Sequence, residues 1–237
     1  MRKRRDPFAP ERYELGEAPA YRFDFDRRGF LKRAGTGLVV VLLSRPVVAL
    51  QESGRQGRTS RSLPEEVSAW LRIDSEGRVT VFTGKVEVGQ NIRTSLSQVV
   101  ADELCCPMEA VTMVMGDTDR TPYDRGTFGS RSIPTMARQL RRVAATARQT
   151  LLEGAAEQWG VTADTLTAHD GEIIDNAANR RASYGELTAG KPILKTVSET
   201  PSVTEAGEWR IAGRSHGKVN GRAFVTGAHQ MLSGKEG

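Results

Sequence analysis

The sequence has few of the residues that hold metal ions or build disulfide frameworks. Its 237 residues include two cysteines, adjacent at Cys105 and Cys106, and three histidines, at positions 169, 216 and 229. Disulfide geometry is hard to satisfy between neighbouring cysteines, and no Cys/His spacing matches a metal site. The sequence therefore predicts two buried or half-buried thiols, no disulfide scaffold and no metal held by protein side chains.

The sequence also lacks a hydrophobic run long enough to cross a bilayer comfortably. Its apolar stretch from Ala34 to Leu43 is too short for a membrane span. The composition, 38% hydrophobic and 27% charged, is that of a globular protein. A chain of this length can bury a core without disulfide or metal staples.

Excess positive charge is missing from the part of the chain that is expected to fold. Residues 1–61 hold 14 Lys/Arg and 7 Asp/Glu, whereas the remaining residues hold 20 and 22. A nucleic-acid-binding domain keeps its basic patch on the folded surface. The net charge of +5 therefore does not indicate a nucleic-acid partner.

Residues 1–50 contain a segment that resembles a bacterial export signal. The hexapeptide RRGFLK, residues 27–32, follows Asp26 and precedes the apolar run that ends at Leu43. Twin arginines before a short apolar run resemble the twin-arginine signal. We expect residues 1–50 to be a leader with a candidate cleavage site at Val47-Val48-Ala49, and residues 51–64, rich in Gly, Ser, Arg and Gln, to be a flexible linker.

The export resemblance has consequences for localisation and chemistry. It implies a periplasmic protein, membrane-associated if the leader is uncleaved. Twin-arginine export carries folded proteins, often because a cofactor was inserted first, so the resemblance also favours a redox cofactor. The alternative is a basic amphipathic start of a cytoplasmic protein.

The apolar periodicity from residue 65 onward predicts an α/β or α+β fold. It indicates a hairpin over 69–83, a helix over 92–105 that Pro107 ends, a third strand over 111–115 and a long helix over 134–159. The long helix carries an apolar stripe opposite a solvated arginine face. A second hairpin over 166–175, a helical turn over 184–189 and a loose extended segment over 192–213 follow.

Two loops carry the residue types that bind polar ligands. The first, residues 84–91, lies between a strand and a helix, where Gly89 permits a tight turn and Asn91 is a candidate N-cap. Free N–H groups at that helix start, together with Arg93, predict an anion site, and Gln90 can both donate and accept hydrogen bonds.

The second loop, Gly126 to Ser132, precedes the long helix. It combines two glycines, three hydroxyl side chains and Arg131, a composition that suits phosphate binding. Neither loop matches a Walker or GxGxxG pattern, so simple nucleotide binding lacks support. Each loop alone is compatible with an ordinary connection, but the pair suits a ligand with polar and phosphate groups spread along it.

Two stretches of the sequence are GKVEVGQNIRTSLSQVVADEL, residues 84–104, and VTMVMGDTDRTPYDRGTFGSRSIPTMARQLRRVAATAR, residues 111–148. Both resemble the molybdopterin-binding large subunit of the xanthine dehydrogenase family, of the isoquinoline 1-oxidoreductase beta-subunit type. The likeness runs from about residue 67 to 177 and resumes at 208–213 and 220–227. It implies a partial molybdopterin-binding domain with a mixed sheet and a long packed helix over 65–190, and an extended connector over 191–237 to a missing C-terminal region.

The resemblance also implies site residues and a cofactor. In the family the two loops contact the pterin and its phosphate-bearing tail, which carries over here to Gly89, Gln90, Thr127, Gly129, Ser130 and Arg131. The implied cofactor is the molybdenum cofactor, with a cytidine dinucleotide tail as the favoured form. Many relatives have glycine at the position of Asn91, which leaves the detail of that turn open.

The catalytic glutamate of the family has no match in this chain, which is far shorter than family large subunits. We expect Glu87, Asp117, Asp119 and Asp124 to be structural or loop-capping, and assign no catalytic residue. The complete enzymes hydroxylate N-heterocycles or oxidise aldehydes with oxygen from water, and pass electrons to a [2Fe-2S] subunit and often a c-type cytochrome. We expect this chain to be inactive without the rest of the large subunit; the alternative is a non-catalytic exported remnant or assembly module that binds no cofactor.

Overall fold

The computed structural model describes residues 37–44, 66–124, 126–190, 192–197 and 201–228. The twin-arginine hexapeptide and the predicted linker lie outside the described residues. Within the described ranges, no helix combines the length and apolar character needed to cross a membrane.

The core of the fold is a mixed five-stranded sheet. Its strands are β1 Gly37–Ser44, β2 Glu66–Ile73, β3 Val79–Thr83, β4 Val111–Met115 and β8 Pro192–Thr196. They lie in the order β4-β3-β2-β1-β8. Strand β2 pairs antiparallel with β1 and β3, whereas β1–β8 and β3–β4 are parallel pairs. The predicted mixed sheet is thereby confirmed.

Two helices, α1 (Ile92–Leu104) and α2 (Arg138–Trp159), pack together on one face of this sheet. The predicted apolar stripe of the long helix is confirmed, because all of its residues are buried apart from the partly buried Trp159. The stripe consists of Met136, Leu140, Val143, Ala144, Ala147, Leu151, Ala155 and Trp159. A π-helical turn over Ser132–Ala137 leads into α2, so the long helix begins later as an α-helix than Pro134 indicated.

A small antiparallel sheet follows α2. It contains the predicted second hairpin and one strand that the sequence pattern did not indicate; its strands are β5 Thr167–His169, β6 Glu172–Asp175 and β7 Arg180–Ser183. The predicted helical turn is α3, Tyr184–Thr188, which starts with a capping box between Ser183 and Glu186.

The apolar run assigned to the leader is part of the folded domain. Strand β1 lies between β2 and β8, and its side chains from Leu38 to Leu42 are 0–4% exposed. The run is apolar on successive residues because both faces of the strand are covered. The folded part therefore includes a segment well before the predicted start at residue 65.

The arginine face of α2 is not simply solvated surface. Arg141 and Arg148 form ion pairs with Glu103, whose side chain is 1% exposed, at 3.3 and 3.0 Å. Thr204 donates its backbone N–H and its hydroxyl to the same carboxylate at 2.8 and 3.0 Å. The prediction of a solvated face is wrong for these two arginines, because a buried charge on α1 requires partners.

The segment after residue 191 is also more ordered than predicted. Strand β8 joins the sheet, and the backbone N–H groups of residues 210–212 donate to the buried carboxylate of Asp102. A short helix, α4 (Gly221–Val225), follows. Because Asp102 anchors this chain segment to α1, the described residues do not form a loose connector.

The cysteines lie at the end of α1, where Cys105 is half-buried and Cys106 is buried, and both are free thiols. Burial, assisted by the neighbouring Cys105 and Asp170, raises the pKa of Cys106 to about 12. The prediction of buried or half-buried thiols is confirmed.

Candidate cofactor site at the ends of strands β3 and β4

The two predicted loops begin side by side. Strands β3 and β4 are parallel neighbours in the register Thr83↔Met115, and each loop leaves the carboxyl end of its strand. The first loop leads into α1 and the second leads toward α2. Ligands of open α/β sheets bind at this edge, outside the carboxyl ends of the strands.

The first loop is held by the carboxylate of Glu87. Its Oε1 accepts hydrogen bonds from the backbone N–H groups of Gly89 and Asn91 at 2.9 and 3.0 Å, and its Oε2 accepts from that of Arg93 at 3.0 Å. Burial raises the pKa of Glu87, but the three N–H donors and the ammonium of Lys218 together outweigh it and hold the pKa below its usual value. Glu87 is therefore an ionised cap on the start of α1.

This cap corrects the prediction of a free anion site at that helix start. The carboxylate of Glu87 already occupies it, and the guanidinium of Arg93 donates to the carbonyl of Met113. Asn91 is the N-cap residue as predicted, but its side chain caps no backbone N–H and accepts from the hydroxyl of Thr94 instead. Its φ of 62° lies in the left-handed region, which asparagine tolerates better than most non-glycine residues.

Gln90 braces the same loop. Its Oε1 accepts from the N–H of Val88 at 2.7 Å, and its Nε2 donates to the carbonyl of Val86 at 2.9 Å. The side chain is exposed, and these two hydrogen bonds hold its amide group against the turn. Gly89, beside it, has a φ of 102° and open space where a Cβ would be, so its backbone can be approached closely.

A buried ion pair joins the second loop to the first. Lys85, 6% exposed, places its Nζ 2.7 Å from Oδ1 of Asp124 and 2.7 Å from the carbonyl of Gly126. The same Oδ1 accepts from the N–H of Gly126 at 2.9 Å. One ammonium group therefore fixes the start of the Thr/Gly/Ser loop against the end of β3.

Two further contacts keep the loops together. Thr127 accepts the N–H of Val86 on its Oγ1 at 2.9 Å. A Cβ at position 84 would lie 2.5 Å from both the carbonyl of Pro122 and the Cβ of Asp124, so only glycine allows this approach. The structure thus brings the first loop and the base of the second into direct contact.

The tip of the second loop projects outward. Gly129 and Ser130 have φ values of 63° and 55°, and a Cβ on Gly129 would meet nothing within 4 Å. Ser130 and Arg131 are exposed, and within the described ranges neither side chain has a hydrogen bond or ion pair. The neighbouring Phe128 is 63% exposed. This tip therefore presents a free hydroxyl and a free guanidinium, and the backbone of Gly129 is open to close approach.

The donor set fits a large anionic cofactor spread over both loops. The tip offers a hydroxyl, a guanidinium and an accessible backbone for phosphate oxygens, and the first loop offers the amide of Gln90. The open space over Gly89 and Gly129 leaves room for close approach. No group of three or more His, Cys, Asp or Glu in the described part of the chain could hold a metal ion.

The structural roles expected for the loop carboxylates are confirmed for three of them. Glu87 caps α1, Asp124 pairs with Lys85, and Asp117 accepts from the N–H of Asp119 at 3.0 Å. The role of Lys85 was missed, because its partner is 39 positions away and the sequence offers no local signal for the pair. The only local hint of this role is the position of the lysine, which follows strand β3 and Gly84, a residue that the close approach of the second loop requires to be glycine.

Comparison with known proteins supports the molybdopterin resemblance. A family model described as a molybdopterin cofactor-binding domain matches residues 12–232. A nicotinate dehydrogenase subunit of Pseudomonas putida is 32% identical over 201 residues, which cover 85% of this chain and 16% of that protein. The beta subunit of isoquinoline 1-oxidoreductase of Brevundimonas diminuta is 34% identical over 175 residues, covering 69% of this chain and 22% of that protein.

Among solved structures, Cu,Mo-CO dehydrogenase is similar at 28% identity with a TM-score of 0.45, covering 49% of this chain and 15% of that chain. The chain spans 16% and 22% of the two curated relatives, a small part of their length. The family model, by contrast, extends over nearly the whole chain. The chain therefore belongs to the molybdopterin cofactor-binding domain family, and its resemblance to the molybdenum-binding subunits of the xanthine dehydrogenase family is confirmed.

Proposed function

We propose that this chain supplies the loops that cradle the pterin and phosphate tail in a molybdenum hydroxylase large subunit. The observation that carries the proposal is the attachment of the second loop to the first through Lys85, Asp124 and Thr127. This attachment fixes the positions of the two loops relative to each other at one sheet edge, which supports their proposed role in binding one ligand. Such preorganisation suits a ligand longer than either loop.

Each predicted site residue has a distinct role in the proposal. Gly89 and Gly129 allow close backbone approach, and Gln90 donates the amide hydrogen that Val86 does not accept to a polar edge of the pterin. Ser130 and Arg131 bind phosphate oxygens, for which a guanidinium offers paired donors. Thr127 positions the second loop, since its Oγ1 already accepts from Val86.

The bound cofactor would supply the redox chemistry, the oxidation of an N-heterocycle or aldehyde with oxygen from water. The protein's own part is to bind and orient it. We assign no general base to this chain, because Glu87 is held as a cap and Asp124 is paired with Lys85. A complete enzyme would then need the rest of a large subunit and a [2Fe-2S] subunit. Where the family's electron transfer continues to a c-type cytochrome, it would need that subunit as well.

The proposal includes two further details. The cofactor tail is a cytidine dinucleotide, whose two phosphates the exposed tip of the second loop would bind. The protein is exported to the periplasm in the folded state through residues 27–32, which resemble a twin-arginine signal. Fractionation of cells that produce the wild-type chain or its Arg27→Lys/Arg28→Lys variant tests the export separately from cofactor binding.

A matched pair of arginine variants tests the cofactor role. Arg131→Gln removes an exposed charge from the loop tip, whereas Arg138→Gln removes an exposed charge at the start of α2, two turns further along the chain. Each chain is produced together with the reading frame immediately downstream in a host that makes the molybdenum cofactor, and the molybdenum and pterin contents of the purified protein are measured. We expect Arg131→Gln to retain at least tenfold less of both than Arg138→Gln; equal retention would overturn the assignment of the tip as the phosphate site.

A further inference from the structure

Strand β1 is a fully covered strand of the domain. Leu38, Val40 and Leu42 face the main core, and Val39 and Val41 on the opposite face pack with Trp70 and Phe82. These strand side chains are 0–4% exposed. A strand buried on both faces belongs to the interior of a fold.

The backbone of β1 is hydrogen-bonded to a neighbouring strand on each side. It pairs with β2 from Leu38 to Ser44 and with β8 from Gly37 to Val41. Beyond the ladder, the N–H of Val197 donates to the carbonyl of Val41 at 3.0 Å. Removing the strand would leave the facing N–H and C=O groups of both neighbours without partners in the middle of the sheet.

Gly37 is shaped to this position. Its φ is 125°, and a Cβ there would lie 2.3 Å from the carbonyl oxygen of Ile73. A larger residue would push the strand away from β2. The start of the segment is therefore specified for the sheet, a requirement that an export signal alone would not impose.

The same residues form most of the apolar run that follows the twin arginines. Cleavage at Val47-Val48-Ala49 would cut the chain between β1 and β2, so that the strand would no longer be covalently joined to the rest of the domain. The match to the molybdopterin cofactor-binding domain begins at residue 12 and so includes this run within the family's sequence.

We propose that residues 37–44 stay in the mature protein as a permanent strand and that the leader is not removed at this cleavage site. The apolar run has a structural role in the cofactor-binding domain, whichever compartment the protein occupies. This inference is independent of the proposed cofactor-binding role, since it depends on the sheet and not on the loops.

Peptide mapping of the protein from a host with the twin-arginine pathway tests retention directly. Trypsin cuts after Arg33 and Arg55 but poorly at Arg45, which precedes Pro46, so one peptide, residues 34–55, spans both the strand and the cleavage site. We expect this peptide in the mature protein in every cell fraction that contains it. A peptide that starts at Leu50 in place of it would overturn the proposal.

A cut engineered into residues 51–62 tests the structural role without any export. A specific protease site is placed there in the full chain, and the purified protein is cleaved. We expect the N-terminal fragment to stay with the domain through gel filtration, and the melting temperature to stay within a few degrees of that of the uncut chain. Separation of the fragment from a domain that still melts at the same temperature would refute the role.

A pair of strand variants provides the control. Val40→Asp places a charge in the main core from β1, whereas Thr112→Asp places one at an exposed position of β4. We expect Val40→Asp to lose its cooperative melting transition and Thr112→Asp to keep it. A cooperative transition in both variants would contradict the placement of β1 in the core.

Discussion

The two loops at the carboxyl ends of β3 and β4 use their polar groups in opposite ways. In the first loop, Glu87 and Gln90 satisfy the backbone of their own turn. In the second, the base is fixed by Lys85, but the side chains of Ser130 and Arg131 at the tip have no partner within the described ranges. The first loop is a rigid support, and the second carries the free donors.

This difference changes where an anion is expected to bind. Both loops precede a helix and contain glycine, so composition alone assigns a phosphate site to each. The carboxylate of Glu87 already occupies the first helix start, so a second anion there would meet like charge. The tip of the second loop remains as the proposed phosphate site.

The largest expected effect comes from breaking the joint between the loops. Lys85→Met leaves the carboxylate of Asp124 buried without its cation, which costs about 3–5 kcal/mol of unfolding free energy. Thermal and urea unfolding measure this loss. Adding Asp124→Leu to Lys85→Met removes the stranded charge, and we expect it to recover part of the stability without restoring the position of the second loop. No recovery would mean that the lysine acts by packing.

A smaller loss is expected when the cap of the first loop is changed. Glu87→Gln replaces one acceptor oxygen by an NH₂ group that cannot accept from the N–H of Arg93, at a cost of about 1–3 kcal/mol. Urea unfolding at pH 7 measures the difference from the wild-type chain.

The same pair of proteins gives a pH test. The pKa of Glu87 lies below its usual value of 4.5 in the folded protein, so the ionised cap stabilises the fold fully above that pH and loses its effect as the pH falls through the lowered pKa. We expect the stability gap between wild type and Glu87→Gln to be constant near neutral pH and to shrink below about pH 4.5. A gap that grows on acidification would contradict the role of Glu87 as an ionised cap.

Gln90→Ala should cost about 1 kcal/mol, because the two hydrogen bonds that the side chain makes are exposed to solvent. Gln90→Glu sharpens the comparison, since its carboxylate can still accept from the N–H of Val88 but cannot donate to the carbonyl of Val86. When each is produced together with the reading frame immediately downstream, we expect both variants to retain less molybdenum and pterin than the wild-type chain. Unchanged cofactor content in both would remove Gln90 from the site.

The smallest effect on stability is expected at Ser130. Ser130→Gly relieves a left-handed conformation and should stabilise the fold by up to about 1 kcal/mol, whereas Ser130→Ala should leave stability nearly unchanged. Both variants lose the hydroxyl, so both should retain less cofactor. Calorimetry measures the effect of backbone strain on stability, and pterin analysis measures cofactor binding. If both variants keep the cofactor content of the wild-type chain, a role for the hydroxyl is excluded.

The sequence predicted the elements whose signal is local. The apolar spacing of α1 and the stripe of α2 mark helices that bury one face, and the position of β4 was predicted residue by residue. Gly89 was expected at a tight turn and has a positive φ. These features depend on residues a few positions apart, which a periodic pattern contains.

The features that the sequence did not predict depend on distant partners. Strand β1 looks like an export segment because a strand buried on both faces and a short apolar signal have the same composition. The ion pair and hydrogen bond that Glu103 forms with Arg148 and Thr204 could not be predicted, because these two partners are distant from it in the sequence. The occupation of the first helix start by Glu87 depends on the turn geometry, which composition does not specify.

The most direct test of the cofactor assignment is metal and pterin analysis of the wild-type chain made in a molybdenum-cofactor-producing host, alone and together with the reading frame immediately downstream. We predict molybdenum and pterin in equal amounts in the co-produced sample, with little in the chain alone. Absence of both molybdenum and pterin from the two samples would contradict the cofactor assignment and favour a domain that folds without binding cofactor.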